Sequence, residues 1–282
     1  MVFINIQLDS LFSIRINVFT MLRRKISIYR YIALLLLSLT VFACSTDGKS
    51  VKGEETVAPE ESLRKANELI KDGFYEDARK ILETIKSGSA SQQYALLARL
   101  RIADSYFDDE AYEEAVVEYE SFLDLYPHQK YASYAQYRLA MCFFKRIKTV
   151  DVSYSWAQRA LNEFQKLQRQ YPRNPYMNIV DNRIKSCINM LAEYEYYVGN
   201  FYYEKGAYNA AIGRFGGILL QYPNSVRAPE ALYYMGLAYE YSGQLIEAVN
   251  TLMAFVDKYP NVDLTVDAKE HIASLPHLII EK

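Results

Sequence analysis

The stretch LYYMGLAYEYSGQLIEAVNTLMAFVDKYP, Leu232 to Pro260, decides the fold. On either side of Ser242-Gly243 its apolar residues recur three and four apart, the period of amphipathic helices rather than strands. Gly236 and Ala248 are small, which lets two helices cross closely, with Tyr239 filling the space beside them. Tyr259-Pro260 closes the stretch. Proline lacks an N–H and clashes with the preceding turn, so the helix stops there. The same stop recurs at Tyr126-Pro127, Tyr171-Pro172 and Tyr222-Pro223. Twelve residues before each proline stands an alanine: Ala115, Ala160, Ala211 and Ala248. The prolines are spaced 45, 51 and 37 residues apart, so the chain repeats a helix-turn-helix unit with insertions.

This pattern resembles the tetratricopeptide repeat, a unit of about 34 residues. Leu232, Met235, Gly236, Tyr239, Ala248, Leu252, Phe255 and Pro260 fill its signature positions. A second unit carries Ile102, Ala103, Tyr106, Ala115, Tyr119, Phe122 and Pro127. A fourth carries Val198, Gly199, Tyr202, Ala211, Phe215, Ile218 and Pro223. A weaker first unit has Ala66, Leu69, Ala78 and Leu82. The third is interrupted around Lys148–Ser153, where Asp151 or Ser153 would cap the next helix. The spacing predicts a long helix over 177–203 and a capping helix over 266–274. The expected fold is an all-α solenoid of about five such units. Gly213, Gly216 and Gly217 fall inside a helix, where close packing is the expected use. Cys142 and Cys187 sit in apolar helical patterns and are expected as two buried thiols rather than a disulfide.

Ahead of the repeats, Arg23, Arg24, Lys25 and Arg30 precede an apolar run from Tyr31 to Ala43. Thirteen residues are too few to span a bilayer, which takes about 20. The pattern is that of a secretory signal, and Val41-Phe42-Ala43-Cys44 resembles a bacterial lipobox. The expected organisation is a signal peptide over 1–43, with 1–20 read as an upstream over-call of the start. A lipidated N-terminus and flexible linker follow over 44–59, then the solenoid over 60–282. Cys44 is the expected lipid attachment residue, anchoring the chain to outer-membrane lipid and facing it to the periplasm. Ser45 next to it permits export. As a coil, the linker from Ser45 to Pro59 spans about 20 Å.

Past Ala43 the chain has 27 basic and 33 acidic residues and no basic block. That argues against nucleic-acid partners, which require a positive footprint. His128, His271 and His277 have no partner at metal-ligand spacing, and no phosphate loop or nucleophile elbow is present. No cofactor, no metal and no catalytic role is expected. Function then falls to a surface. Mapped by register, the first helices of units one to three line a groove. It receives Leu100, Asp104 and Phe107, then Tyr134, Tyr137, Met141, Phe144 and Lys145. Aromatic grooves with a few polar groups suit extended peptides bearing aromatic residues.

The run LAEYEYYVGNFYYEKGAYNAAIGRF, Leu191 to Phe215, is more specific than repeat spacing. Together with the lipobox and five units it resembles the BamD family of outer-membrane β-barrel assembly lipoproteins. The resemblance implies a non-enzymatic scaffold. Its N-terminal units would receive the C-terminal signals of unfolded outer-membrane proteins. Its C-terminal units would dock on the POTRA region of a BamA-like subunit, and other assembly lipoproteins would be further partners. The arginine matching Arg214 faces the BamA-like partner, and Arg214, one residue before the packed Phe215, is expected to point outward. The segment after Phe144 is shorter than is usual in the family. The alternative is a periplasmic adaptor of cell-envelope maintenance resembling the TolA-binding factor CpoB, which usually lacks a lipobox cysteine.

Overall fold

Residues 58–88, 91–150 and 153–275 are described by a computed structural model. Among them there are eleven helices and no strand. They pair as α1 (Pro59–Lys71) with α2 (Tyr75–Ser87), and α3 (Gln92–Asp108) with α4 (Tyr112–Leu125). Next come α5 (Ala132–Lys145) with α6 (Tyr154–Gln170), and α7 (Met177–Glu204) with α8 (Tyr208–Gln221). The fifth pair is α9 (Ala228–Tyr241) with α10 (Leu245–Lys258), and α11 (Leu264–Ser274) covers its end. Five pairs and a cap match the expected all-α solenoid, and the long helix and the cap begin and end within two residues of their expected bounds. The signal segment, Cys44, the linker up to residue 57, Asp151 and His277 lie outside the described residues.

Each helix packs on the next, and first helices of neighbouring units also touch, whereas second helices do not. The array therefore curves with the first helices α1, α3, α5, α7 and α9 on its inner face. A repeat array of this kind is stabilised unit by unit through its neighbours.

Local chemistry explains the punctuation. Tyr126, Tyr171, Tyr222 and Tyr259 each end a second helix with φ near −130°. The following proline disfavours the helical region for the residue before it, so the tyrosine leaves the helix and its ring stays against the core. Within units, a left-handed residue turns the chain: Gly73, Gly206 and Gly243, but Glu110 in unit two, with φ of 59°. There the amide three positions past the helix end bonds back to a carbonyl five residues earlier, as in Ala111 N to Tyr106 O at 2.9 Å. This is the glycine-favouring Schellman closure.

Glycines set the helix crossings at two places. A Cβ at Gly236 would lie 2.7 Å from Cγ of the fully buried Leu252, and one at Gly199 2.7 Å from the ring of Phe215. The partner of Gly236 is thus Leu252, while Tyr239 packs with Ala248, Val249 and Leu275. Two expectations are corrected. Gly213 and Gly217 have nothing within 4 Å of a modest side chain, and Gly216 meets only Met235 at 3.7 Å, so these glycines serve no close packing. Ser153 stands at the start of α6 without capping it, because its hydroxyl accepts the Lys148 amide at 2.8 Å instead. Cys142 and Cys187 are free and buried, as expected, and burial pushes both thiols up to about 12.

Candidate functional site

On the inner face of units two and three the expected groove residues separate into a wall and a floor. Tyr134, Tyr137 and Phe144 on α5 are half-buried and form the wall. Tyr176, at the start of α7, stacks on Tyr137 with ring centroids 4.5 Å apart and lies 6.3 Å from Tyr134. Tyr137 and Phe144 both lean on the buried ring of Phe164 from α6. Arg183 from α7 lays its guanidinium 4.7 Å from the centre of the Phe144 ring. The row Tyr134, Tyr176, Tyr137, Phe144 and Arg183 therefore bridges two units. Lys145 is exposed beside it.

Three of the expected wall residues are floor. Leu100 is 4% and Met141 7% exposed, packed in the central core. Asp104 is 2% exposed and is no free polar bracket, because its carboxylate is consumed inside the chain. Its Oδ1 accepts the hydroxyls of Tyr119 at 2.6 Å and Tyr134 at 2.9 Å, and its Oδ2 accepts Arg101 Nη1 at 2.8 Å. Arg101 Nε reaches on to Asn67 of α1 at 2.6 Å. Arg138 donates to Tyr119 Oη at 3.1 Å and to Asp108 at 2.9 Å, and covers the Phe107 ring at 3.8 Å. A charge taken out of water must be paired and bonded, and here the partners come from α1, α3, α4 and α5. Burial first, and the Asp104 charge second, push Tyr119 and Tyr134 above the ordinary phenol range. For Arg138, burial opposes the charge, but Tyr119, Tyr134 and Asp104 outweigh it and raise its pKa. The network thus locks the orientation of Tyr134 and Arg138 beneath the groove.

Sequence reasoning placed Tyr119 in the repeat but missed its bond to Asp104. Spacing of three between Arg101 and Asp104 was a readable signal for that pair. Tyr176 and Arg183 were missed because they belong to the extra first turns of α7, which no repeat register covers.

Arg214, on α8, is 43% exposed and donates to Glu195 of α7 at 3.0 Å. That bond raises its pKa, outweighing burial, which lowers it. The side chain does point outward, but with an in-chain carboxylate already on it. Leu220, on the same helix, is 82% exposed, and Val226 in the following turn and Ile246 on α10 are exposed too. Among the described residues no group of His, Cys, Asp or Glu could hold a metal ion, and no helix is long and apolar enough to cross a membrane.

Helix pairs of this kind, stacked in chain order with first helices against first helices, define a tetratricopeptide-repeat scaffold. Residues 230–261, which hold α9 and α10, match the tetratricopeptide repeat itself. Residues 56–245 match the outer membrane lipoprotein family YfiO, and the chain belongs to that family. Its curated relatives include outer membrane protein assembly factors BamD. The one from Neisseria meningitidis is 25% identical over 237 residues, covering 79% of this chain and 89% of its own. That of Caulobacter vibrioides is 25% identical, covering 84% and 78%, and that of Haemophilus influenzae 25%, covering 80% and 88%. The resemblance drawn from residues 191–215 is thereby borne out.

Proposed function

We propose that this chain is a non-enzymatic scaffold subunit of an outer-membrane β-barrel assembly complex. In this reading the groove of units one to three binds extended C-terminal segments of unfolded outer-membrane proteins. The C-terminal units dock on the POTRA region of a BamA-like subunit, with Arg214 at the contact, and a lipidated Cys44 anchors the chain to the outer membrane. Family membership supports this role over a cell-envelope adaptor. The observation that carries the groove is the aromatic row of Tyr134, Tyr176, Tyr137 and Phe144. Half-buried rings, with Tyr134 bonded to Asp104 and Tyr137 and Phe144 resting on the buried Phe164, offer apolar contact at low ordering cost.

The test is a titration of a labelled β-barrel C-terminal peptide ending in phenylalanine. Replacing Tyr137 and Phe144 by alanine together should weaken binding at least tenfold, about 1.4 kcal/mol. Equal affinity for the wild type and this double variant would remove the groove from the proposal. The lipid anchor is checked separately, by mass spectrometry of the mature N-terminus. An unmodified Cys44 would remove the anchor.

A further inference from the structure

Five guanidinium groups among the described residues lie within 5 Å of an aromatic ring centre: Arg79, Arg138, Arg146, Arg183 and Arg227. Four of them also hold a carboxylate. Arg79 pairs with Asp109 at 3.0 Å, Arg138 with Asp108 at 2.9 Å, Arg146 with Glu113 at 2.7 Å and Arg227 with Glu193 at 2.6 Å. The recurrent arrangement is therefore an arginine held between a ring and an acid. Arg183 has the ring, Phe144, and no acid. Its Nε is buried without a hydrogen-bond partner.

A guanidinium offers five donors in a planar fork that matches a carboxylate in two places at once. Leaving a buried N–H of that fork unmade is costly, as also at Arg79 Nη1 and Arg99 Nε. Of these only Arg183 joins a ring without an acid and is half-buried as a residue, so the rest of its fork can take an anion from outside. The acids close to the groove are not available to fill it. Asp104 is taken by two tyrosines and Arg101, and Asp108 by Arg138. Asp181, two residues before Arg183, accepts Gln168 instead. Lys145, next to Phe144 in the chain, is an exposed cation and adds to the same sign of field.

We infer that Arg183 is the anion receptor at one end of the aromatic row, and that it binds the terminal carboxylate of the peptide whose last ring packs in that row. The inference rests on the groove reading above. It adds what that reading lacks, a polarity: the peptide lies with its C-terminus at the α5–α7 joint and the rest of its chain running back toward Tyr134. An internal segment of the same sequence, which has no terminal carboxylate, fills the rings but not the fork.

The experiment compares two labelled peptides of one sequence ending in phenylalanine, one a free acid and one a C-terminal amide. Each is titrated against the full chain and against Arg183→Gln, Arg183→Lys and the Tyr137→Ala/Phe144→Ala variant. On the wild type, the amide should bind about tenfold more weakly than the acid. On Arg183→Gln the two peptides should bind alike, at the level of the amide on the wild type. Arg183→Lys keeps the charge without the fork, and should restore part of the difference. Acid and amide binding the wild type equally would overturn the inference, and that comparison uses no variant that can misfold. If the acid–amide difference persists on Arg183→Gln, the receptor is another residue. Failure of the groove itself has a different signature: the Tyr137/Phe144 variant then binds both peptides as the wild type does.

Discussion

Units one to three and units four to five use the same helix pair but are joined by different forces. The first three are tied by a polar network that runs from Asn67 through Arg101, Asp104 and Tyr119 to Tyr134 and Arg138. The last two are joined mainly by rings, together with the half-buried pair of Arg227 and Glu193, and glycines set the crossing inside each of them. Tyr203 meets Tyr208, Tyr234 and Tyr241 edge-on, and Gly199 and Gly236 admit Phe215 and Leu252. Hydrogen bonds to a buried charge are directional, so a polar joint fixes side-chain orientation as well as distance. Ring contacts hold area but tolerate small rotations. The buried carboxylate network thus underlies the half with the proposed groove, and ring contacts with one half-buried ion pair the half that carries Arg214 and the exposed Leu220.

The comparison can be broken most decisively at Asp104. Its replacement by alanine leaves Arg101 and two tyrosine hydroxyls facing a buried gap. Removing one partner of such a network typically costs about 3–5 kcal/mol. Denaturant unfolding followed by amide exchange should show the loss concentrated in α1–α5, with α9–α11 keeping their protection. Uniform loss across the array would mean that the two halves are not distinct.

The second prediction sharpens the division of labour. Arg214→Glu should weaken docking to the periplasmic domains of the BamA-like subunit by about 2–5 kcal/mol, the cost of breaking a bonded interface charge pair. Peptide affinity at the groove should not move. Because Glu195 already neutralises Arg214 in the free chain, Glu195→Gln should strengthen or preserve docking rather than abolish it. Calorimetry on both variants decides, and undiminished docking by Arg214→Glu rules out the contact.

Third, Ala248→Trp should destabilise the last helix pair, α9 with α10. Ala248 is fully buried among Tyr239, Val249 and Leu275, and overpacking costs about 1–3 kcal/mol. A melting curve that does not shift would show that the last unit relaxes freely.

The smallest effect has the opposite sign. Glu110 is the one non-glycine residue with positive φ among those described. Glu110→Gly should raise stability by about 0.5–1 kcal/mol, because relief of the left-handed strain exceeds the added freedom of the unfolded chain. A lowered melting temperature would show that the Glu110 side chain contributes more than its backbone costs.

Much of this was legible in the sequence. Helix period, tyrosine-proline stops and the alanine register gave the number of pairs, the long α7 and the cap. They work because each depends on residues within one or two turns of each other. The candidate inner face was half legible. Tyr134, Tyr137 and Phe144 follow from helix spacing, but Asp104 could not be placed that way. Whether an inward carboxylate is wall or floor depends on Tyr119 and Tyr134, which lie 15 and 30 residues away. Gly213, Gly216 and Gly217 were misread for a related reason. Glycine in a helix usually marks close approach, yet these three face open space or only Met235, and nothing in the fold explains them.

The length of α7 has a mechanical consequence. This single helix carries Arg183 near its start and Glu195, the partner of Arg214, further along. Twelve residues at 1.5 Å rise put these two points about 18 Å apart on one stiff rod. A tilt of about 10° at the groove end would swing the far point by about 3 Å, with no hydrogen bond of the helix broken. The two halves of the molecule are in this sense connected as by a lever, whose arm is fixed by covalent geometry. Distances between spin labels at exposed Asn178 and Tyr197 should therefore stay constant when peptide binds, while distances from either label to α10 change. A label pair within α7 that shortens or lengthens on binding would mean that the rod bends, and that the lever fails.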